Sequence, residues 1–552
     1  MLYRVLKPRR TVLLGGMAVF CAAALYSQPS VLTWHNDNAR TGQNLQETIL
    51  TTANVNVSTF GKLFTIGVDG LVDGQPLYVP GLTIPGQGVH NVLYIATEHD
   101  SVYAFDADSG ALLKQVTLLE GSETSSDDRG CSQVTPEIGV TATPVIDPHS
   151  GPHGTIYVVA MSKLTSGSTV TYYQRVHALD LTTLAEEFGG PVEVQATYAG
   201  TGDESTFTAA QHKARAALLL ANGIVYTTWS SHCDDTPYTS WVIGYNESTL
   251  AQETVLNLVP NGTQGGIWAS GSGPQADTAG NVYVPTGNGT FDTTLTGAGF
   301  PSGNDYGNAY VKMSNSGGQL AVADYFTMSS TVSESGTDTD LGSGGGMLLP
   351  PLNDTNGHSR NLAVVAGKDS NIYVMDTAGL GKFNPNADEM YQQLTGVLPG
   401  GMWGSPAWFN GTLYYGDQGN ALKAFAFSNG TFETSPGSQT SVTFPYPGTT
   451  PSVSANGTSN GVVWATVGSG SGVLHAYNAG NLSEELYNSN QAANARDQFG
   501  GGNKFVFPTI VNGKVYVASI DGVNNKPGSV AAFGLLGEPP AVVSVSPNSG
   551  SG

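Results

Sequence analysis

A short pattern recurs about eight times along the chain, and it constrains the fold more than any other feature. Each copy opens with a short apolar strand, often at a proline, and then a turn with Asn-Gly or Asp. A strand of the type Val-Tyr-Val follows, then a turn, then a strand ending in an aromatic residue and often Asp. The first copy runs Gln75-Pro76-Leu77-Tyr78-Val79, Val92-Leu93-Tyr94-Ile95-Ala96 and Ser101-Val102-Tyr103-Ala104-Phe105-Asp106. The second has Thr143-Pro144-Val145-Ile146, Thr155-Ile156-Tyr157-Val158-Val159 and Val176-His177-Ala178-Leu179-Asp180. Later copies carry Val225-Tyr226, Val282-Tyr283-Val284, Ile372-Tyr373-Val374-Met375-Asp376, Leu413-Tyr414, Val463-Trp464 and Val515-Tyr516-Val517, at irregular spacings of roughly 45 to 75 residues.

One copy makes one small sheet, which cannot bury both faces alone. Packing such sheets around an axis buries the faces and protects the edges. The chain is therefore expected to be all-β: an eight-bladed β-propeller of four-stranded antiparallel blades over residues 61–536. Lys62-Leu63-Phe64-Thr65-Ile66 precedes the first full copy and is expected to pair with the last blade and close the ring. Composition agrees, with 72 glycines and only 12% charged residues, as many short strands and turns require. Helical periodicity is confined at most to short turns near Ser483–Tyr487 and Gln491–Asp497. Asp106-Ala107-Asp108-Ser109-Gly110 reads as a tight strand turn and not as a calcium loop.

Residues 1–27 read as a secretory signal. Arg4, Lys7, Arg9 and Arg10 precede the apolar run Thr11–Leu25, with Ala22-Ala23-Ala24 placing cleavage near Ala24 or Ser27. The chain is thus expected in the periplasm, at the cell surface or outside the cell, and not as an integral membrane protein after cleavage. Residues 28–60 form an N-terminal arm whose run Trp34–Gly42 reads as solvated and pinning the ring closure. From 537 to 552 the Pro/Ser/Gly composition is that of a linker leading to a further C-terminal module. With the signal removed, Cys131 and Cys233 remain, and a disulfide or two free buried thiols both stay open. The net charge of −22 falls to −26 without the four basic residues of the signal, which excludes nucleic acid as a partner.

In a propeller the loops before the innermost strands crowd around one funnel, the natural place for a ligand. They supply Asp73 and Gln75, Glu137 and Thr143, Lys213 and Arg215, Trp268 and Ser270. Further round come Asp338, Asp340 and Ser343, then Trp403 and Ser405, Thr450, and Asn503 with Lys504. Such a polar ring with two tryptophans suits a flat, polar ligand. Glu98-His99-Asp100 reads as a loop tip between strands.

The repeat, with its Tyr103-Ala104-Phe105-Asp106-Ala107-Asp108-Ser109-Gly110 turn, resembles the pyrroloquinoline-quinone-type propellers. These include the eight-bladed quinoprotein alcohol dehydrogenases and the non-catalytic scaffold lipoproteins of outer-membrane assembly. Local matches follow the dehydrogenases. Gly265-Gly266-Ile267-Trp268 resembles the segment that places a tryptophan under the quinone, with Trp403 a second cofactor contact. Val284-Pro285-Thr286-Gly287-Asn288-Gly289 resembles the Gly-Asn pair whose Asn binds calcium, which implies Asn288. Asp234 or Asp235 would be the acidic calcium ligand. Asp340, or Asp338, would be the catalytic base, and Lys368 the basic contact to the quinone oxygens. The family's adjacent Cys-Cys pair and the tryptophan that closes most of its repeats are both missing.

The resemblance implies a dehydrogenase of alcohols or sugars that uses pyrroloquinoline quinone and calcium. No Cys-x-x-Cys-His is present, so electrons would leave through a separate partner. The alternative is a non-catalytic recognition or scaffold propeller binding a surface protein or glycan.

Overall fold

A computed structural model describes residues 29–537. The expected signal and the C-terminal linker fall on 1–28 and 538–552, outside the described residues. Among those described, the strands build eight blades around one axis, each on four antiparallel strands. Seven are continuous in sequence: 77–117, 145–193, 219–257, 275–326, 347–394, 407–444 and 452–488. The eighth combines Thr509–Val511, Lys514–Ser519 and Gly528–Leu535 with Phe60–Val68 from the other end of the chain. Phe60–Val68 pairs antiparallel with Gly528–Leu535 through a register shift between Lys62 and Phe64, so the ring closes as the sequence implies.

The Val-Tyr-Val element has a concrete job. Its flanking aliphatics fill the apolar layers between blades, as Leu93, Ile95, Val158 and Val517 do. Its tyrosine reaches across to the neighbouring blade. The Tyr94 hydroxyl donates to Leu181 O (2.5 Å), Tyr157 to Glu247 O (2.5 Å), Tyr414 to Ala479 O (2.7 Å) and Tyr516 to Ala107 O (2.8 Å). A β-strand places this residue on the face opposite its neighbours, so in these four blades one residue type ties a blade to the next. The Asp at the end of the pattern shapes the following turn. Asp106 Oδ1 accepts from the Ser109 amide (2.8 Å) and hydroxyl (2.6 Å), and Gly110 takes φ +75° against the Phe64 ring.

The N-terminal arm departs from expectation. Trp34, His35 and Arg40 are buried, so the run 34–42 is not solvated. It lies in the central channel and bonds to the innermost strand of every blade in turn. Val31 exchanges backbone bonds with Tyr78, and Leu32 O accepts from Ile146 N (2.8 Å). Asn38 reaches Leu220 O through its side chain (2.7 Å) and accepts from Ala276 N (2.8 Å). Ala39, Thr41 and Gly42 carbonyls accept from Leu348, Trp408 and Val453. Asn44 Nδ2 donates to Ile510 O (3.0 Å). The polar residues of the arm are what this path needs, because inner strands present backbone groups to the axis that something must satisfy.

Two further expectations change. Ser483–Tyr487 is not helical: it lies within the strand Asn481–Asn488, whose Leu482 and Tyr487 are buried against blades 6 to 8. Only Ala493–Ala495 forms a short helical turn in the second stretch. Glu98-His99-Asp100 does form a turn, but Glu98 and Asp100 are buried, so it is no loop tip. No helix among the described residues is long and apolar enough to cross a membrane.

Candidate functional site

Where the loops preceding the innermost strands converge, they enclose a cavity of about 630 Å³, its open mouth included. Blade 3 supplies Lys213, Arg215 and Asp234, blade 4 Trp268, Ser270 and Asn288, and blade 5 Asp340, Ser343 and Lys368. Trp403 comes from the start of blade 6, Tyr446 from the connection to blade 7, and Lys504 and Phe505 from the approach to blade 8. Gln133 and Val134, from the connection into blade 2, complete the wall. The arm's contacts at Leu220, Ala276, Leu348, Trp408 and Ile510 fall five or six residues further along the chain than Arg215, Ser270, Ser343, Trp403 and Phe505. The arm therefore fills the channel beneath the cavity. The axis is also closed at Gly345, where an added Cβ would sit 2.1 Å from Ser405 Oγ and 2.2 Å from Ser272 Oγ.

The structure brings six of the eight residues singled out in the sequence to the cavity wall: Asp234, Trp268, Asn288, Asp340, Lys368 and Trp403. Asp338 stands exposed at the rim and reaches in through its carboxylate. Lys368 Nζ lies 2.5 Å from Asp338 Oδ1 and 2.8 Å from Asp340 Oδ1, and Asn288 Nδ2 donates to Asp338 Oδ1 at 2.6 Å. Asp340 is 2% exposed. Burial pushes its pKa above the usual carboxylate value, against the pull of Lys368. Burial works downward on Lys368, but the Asp340 and Asp338 carboxylates overcome it and hold the ammonium above its usual pKa.

The acidic arc from blade 3 to blade 5 leaves one buried acceptor free of a partner. Asn288 Oδ1 is buried without a donor, and Asp340 Oδ1 meets the Lys368 ammonium without a well-aligned hydrogen bond. Asp234 lines the same wall, its Oδ1 accepting from the Tyr238 hydroxyl at 2.6 Å, whereas Asp235 is exposed. Asn288, Asp234 and Asp340 thus share one wall, and an amide oxygen with carboxylates is the kind of donor set that hard cations take. Among the described residues no three His, Cys, Asp or Glu side chains form a group that could hold a metal ion. Cys233 and Asp234 adopt left-handed backbone, φ 54° and 56°, a conformation costing about 1–2 kcal/mol per L-residue. The fit also demands glycine at 287: a Cβ there would lie 2.9 Å from the Trp268 ring and 3.1 Å from Asp340 Oδ2.

The opposite arc, from blade 8 round to blade 3, is cationic. Lys213 is 1% and Arg215 5% exposed, and Arg215 Nη2 has no partner although Nη1 bonds Asp73 at 2.9 Å. Lys213 reaches only Gln133 Oε1, at 3.2 Å. Burial, then the nearby Arg215 charge, lowers its pKa to about 7. Lys504 is lowered by the same two causes. An oxyanion in this arc would reverse both effects. Between the arcs run aromatic faces: Trp403 meets Tyr446 edge-on at 5.7 Å, and Tyr446 meets Phe505 at 6.4 Å.

The other funnel candidates serve the frame. Asp73 bridges Arg215 and Asn503 Nδ2 (2.7 Å), and Gln75 Oε1 accepts from His35 N. Thr143 caps the Gln75 amide, Glu137 pairs with His99, and Ser405 meets Ser272 across the axis. Thr450 Oγ1 accepts from Ser405 N at 3.3 Å. Sequence reasoning missed Gln133, Val134, Tyr446 and Phe505. Phe505 follows Lys504 directly and could have been included, whereas the other three sit in connections without a repeat signal. Cys131 and Cys233 form a disulfide, which resolves the open alternative.

No family model and no curated protein matches the chain by sequence. Solved structures do match in shape. The quinohemoprotein alcohol dehydrogenase of Comamonas testosteroni is similar over 92% of this chain and 80% of its own, at 15% identity and a TM-score of 0.57. Quinohemoprotein alcohol dehydrogenase ADHIIG of Pseudomonas putida HK5 is similar over 93% and 81%, at 14% identity and 0.58. A europium-containing methanol dehydrogenase is similar over 92% and 99%, at 13% identity and 0.58. At such identities the likeness establishes the fold, that of the eight-bladed quinoprotein dehydrogenase propellers, and leaves function to the site.

Proposed function

We propose that the chain is a dehydrogenase of alcohols or sugars that works with a carboxylate-bearing quinone, pyrroloquinoline quinone, and a hard cation. The observation that carries this reading is the division of one cavity into an acidic arc with an unfilled acceptor and a cationic arc with an unpartnered guanidinium nitrogen. A ligand with carbonyls at one end and carboxylates at the other fits both. Asn288 Oδ1 and Asp234 would hold the cation, calcium or a trivalent ion of similar hardness such as that named for the europium enzyme. Trp268 would support the ring system, Lys368 and Trp403 would flank it, and Lys213, Arg215 and Lys504 would meet its carboxylates. When bound, the quinone accepts hydride and the cation polarises its carbonyl.

The chain's own residues supply the rest. Asp340, buried and paired with Lys368, takes the proton of the substrate hydroxyl at a carboxylate oxygen when in its carboxylate form. Lys368 stabilises that carboxylate before transfer and shares its load with Asp338, so the local charge stays balanced as the proton moves. The closed channel floor confines substrate to the mouth and limits water around the reacting groups. The test is turnover: protein loaded with pyrroloquinoline quinone and calcium, or europium, is offered alcohols and aldoses with an artificial electron acceptor. Acceptor reduction that depends on quinone, cation and substrate supports the reading. Loaded protein that reduces no acceptor with any of them refutes it.

A further inference from the structure

The Cys131–Cys233 bond spans 102 residues and ties the connection into blade 2 to a loop of blade 3. Gln133 and Val134 follow closely after Cys131, and Asp234 follows directly after Cys233; all three line the cavity. The two ends of the bond differ in footing. On the first, Arg129 Nη1 donates to the Tyr172 hydroxyl at 2.6 Å, its guanidinium lies 4.0 Å over the Tyr172 ring, and Nε donates to Ala210 O at 3.0 Å. Cys131 itself is buried. On the second, Cys233 is exposed, and it and Asp234 hold consecutive left-handed conformations that L-residues leave unless their surroundings restrain them. Besides the disulfide, the segment is held by the Tyr238 bond to Asp234, a backbone bond from Asp235 N to His232 O (3.0 Å) and the Gln211 Nε2 bond to Asp235 O.

We propose that the Cys131–Cys233 disulfide is a positioning element of the cation site, pinning the strained Cys233–Asp234 pair to an anchored loop so that the Asp234 carboxylate stays in the cavity wall. The proposal rests on the reading of Asp234 as a cation ligand. It makes cation affinity sensitive to redox state. A dithiol that reduces the bond gives up two electrons and two protons, becomes a disulfide itself, and leaves Cys131 and Cys233 as thiols. The exposed Cys233 segment then relaxes and Asp234 loses its fixed place.

The experiment compares four proteins: the oxidised chain, Cys131→Ser/Cys233→Ser, Asp234→Asn, and the triple variant. Binding of terbium(III), sensitised through Trp268, is read alongside amide exchange of residues 232–236. Loss of the disulfide and Asp234→Asn are each expected to weaken terbium binding at least tenfold. The triple variant is expected to be no weaker than Asp234→Asn, because both changes act through one carboxylate. Exchange across 232–236 is expected to quicken without the bond. Native-like terbium affinity without the disulfide, or losses that simply add, would overturn the proposal. Should the serine pair fail to fold, reduction of the folded chain by a phosphine gives the same comparison. If the oxidised chain binds no terbium, the cation reading fails; unchanged exchange across 232–236 then also overturns the positioning role, while faster exchange supports it.

Discussion

Asp340 is held between opposing demands, buried deeply enough to resist ionisation and paired closely enough with Lys368 to ionise. As a base it works only as the carboxylate, so activity rises with pH through a pKa raised above the ordinary value of 3.8. Removing the cation that favours the charged form raises that pKa further. Lys368→Met therefore moves the acidic limb of kcat/KM to higher pH, and a limb that stays in place contradicts the assignment. Asp340→Asn lowers kcat by about 10²–10⁴. Gly287→Ala drives a methyl between Trp268 and Asp340. Quinone affinity is expected to fall at least tenfold while the melting temperature changes little, as read by equilibrium titration and thermal unfolding. Trp268 and Asp340 were legible in the sequence as residues of the loops before the innermost strands, and Asn288 and Lys368 through local likeness to quinoprotein dehydrogenase segments. Tyr446, Gln133 and Val134 were not, since their long connections carry no periodicity and only the closed ring brings them inward.

At the scale of elements, the repeat tyrosine and the arm link neighbouring blades. The pattern Val-Tyr-Val was plain in the sequence, but its meaning was not: a period of two says that a residue alternates faces, not that its hydroxyl bridges to the next blade. Tyr94→Phe, Tyr414→Phe or Tyr516→Phe leaves a buried carbonyl of the adjacent blade without its donor. Each is expected to cost about 1–3 kcal/mol in denaturant unfolding. The arm was misread as solvated because its polar residues were taken as facing water, when they face the inner-strand backbones. Arg40 shows why. Its guanidinium bonds Pro274 O (2.8 Å), Trp34 O (2.9 Å), Leu218 O (3.1 Å) and the Thr33 hydroxyl (2.7 Å), all in a buried site. Burial pushes its pKa down to about 9. Arg40→Met strands those acceptors and is expected to destabilise the chain by about 3 kcal/mol or more, measured in the same way. A loss below 1 kcal/mol would mean the arm contributes little to holding the ring together.

For the whole molecule, blade number, antiparallel pairing and closure by Phe60–Val68 all follow from the repeat and from burial. An edge strand at each end of the chain finds its partner only in the other. Charge is distributed less evenly than composition suggests. A chain with net charge −22 places four of its 21 lysines and arginines around one cavity. That polarity is invisible in a total and emerges only when distant loops meet. It separates this funnel from an ordinary water-filled propeller channel, and it is the central claim to test. The direct measurement is a titration of the purified chain with pyrroloquinoline quinone in the presence of calcium, followed by absorbance and thermal shift. The account predicts saturable one-to-one binding that stabilises the fold and weakens at least tenfold in Asn288→Ala and in Arg215→Ala, one from each arc. A folded chain that binds no quinone with calcium, or binds it equally well in both variants, would contradict it.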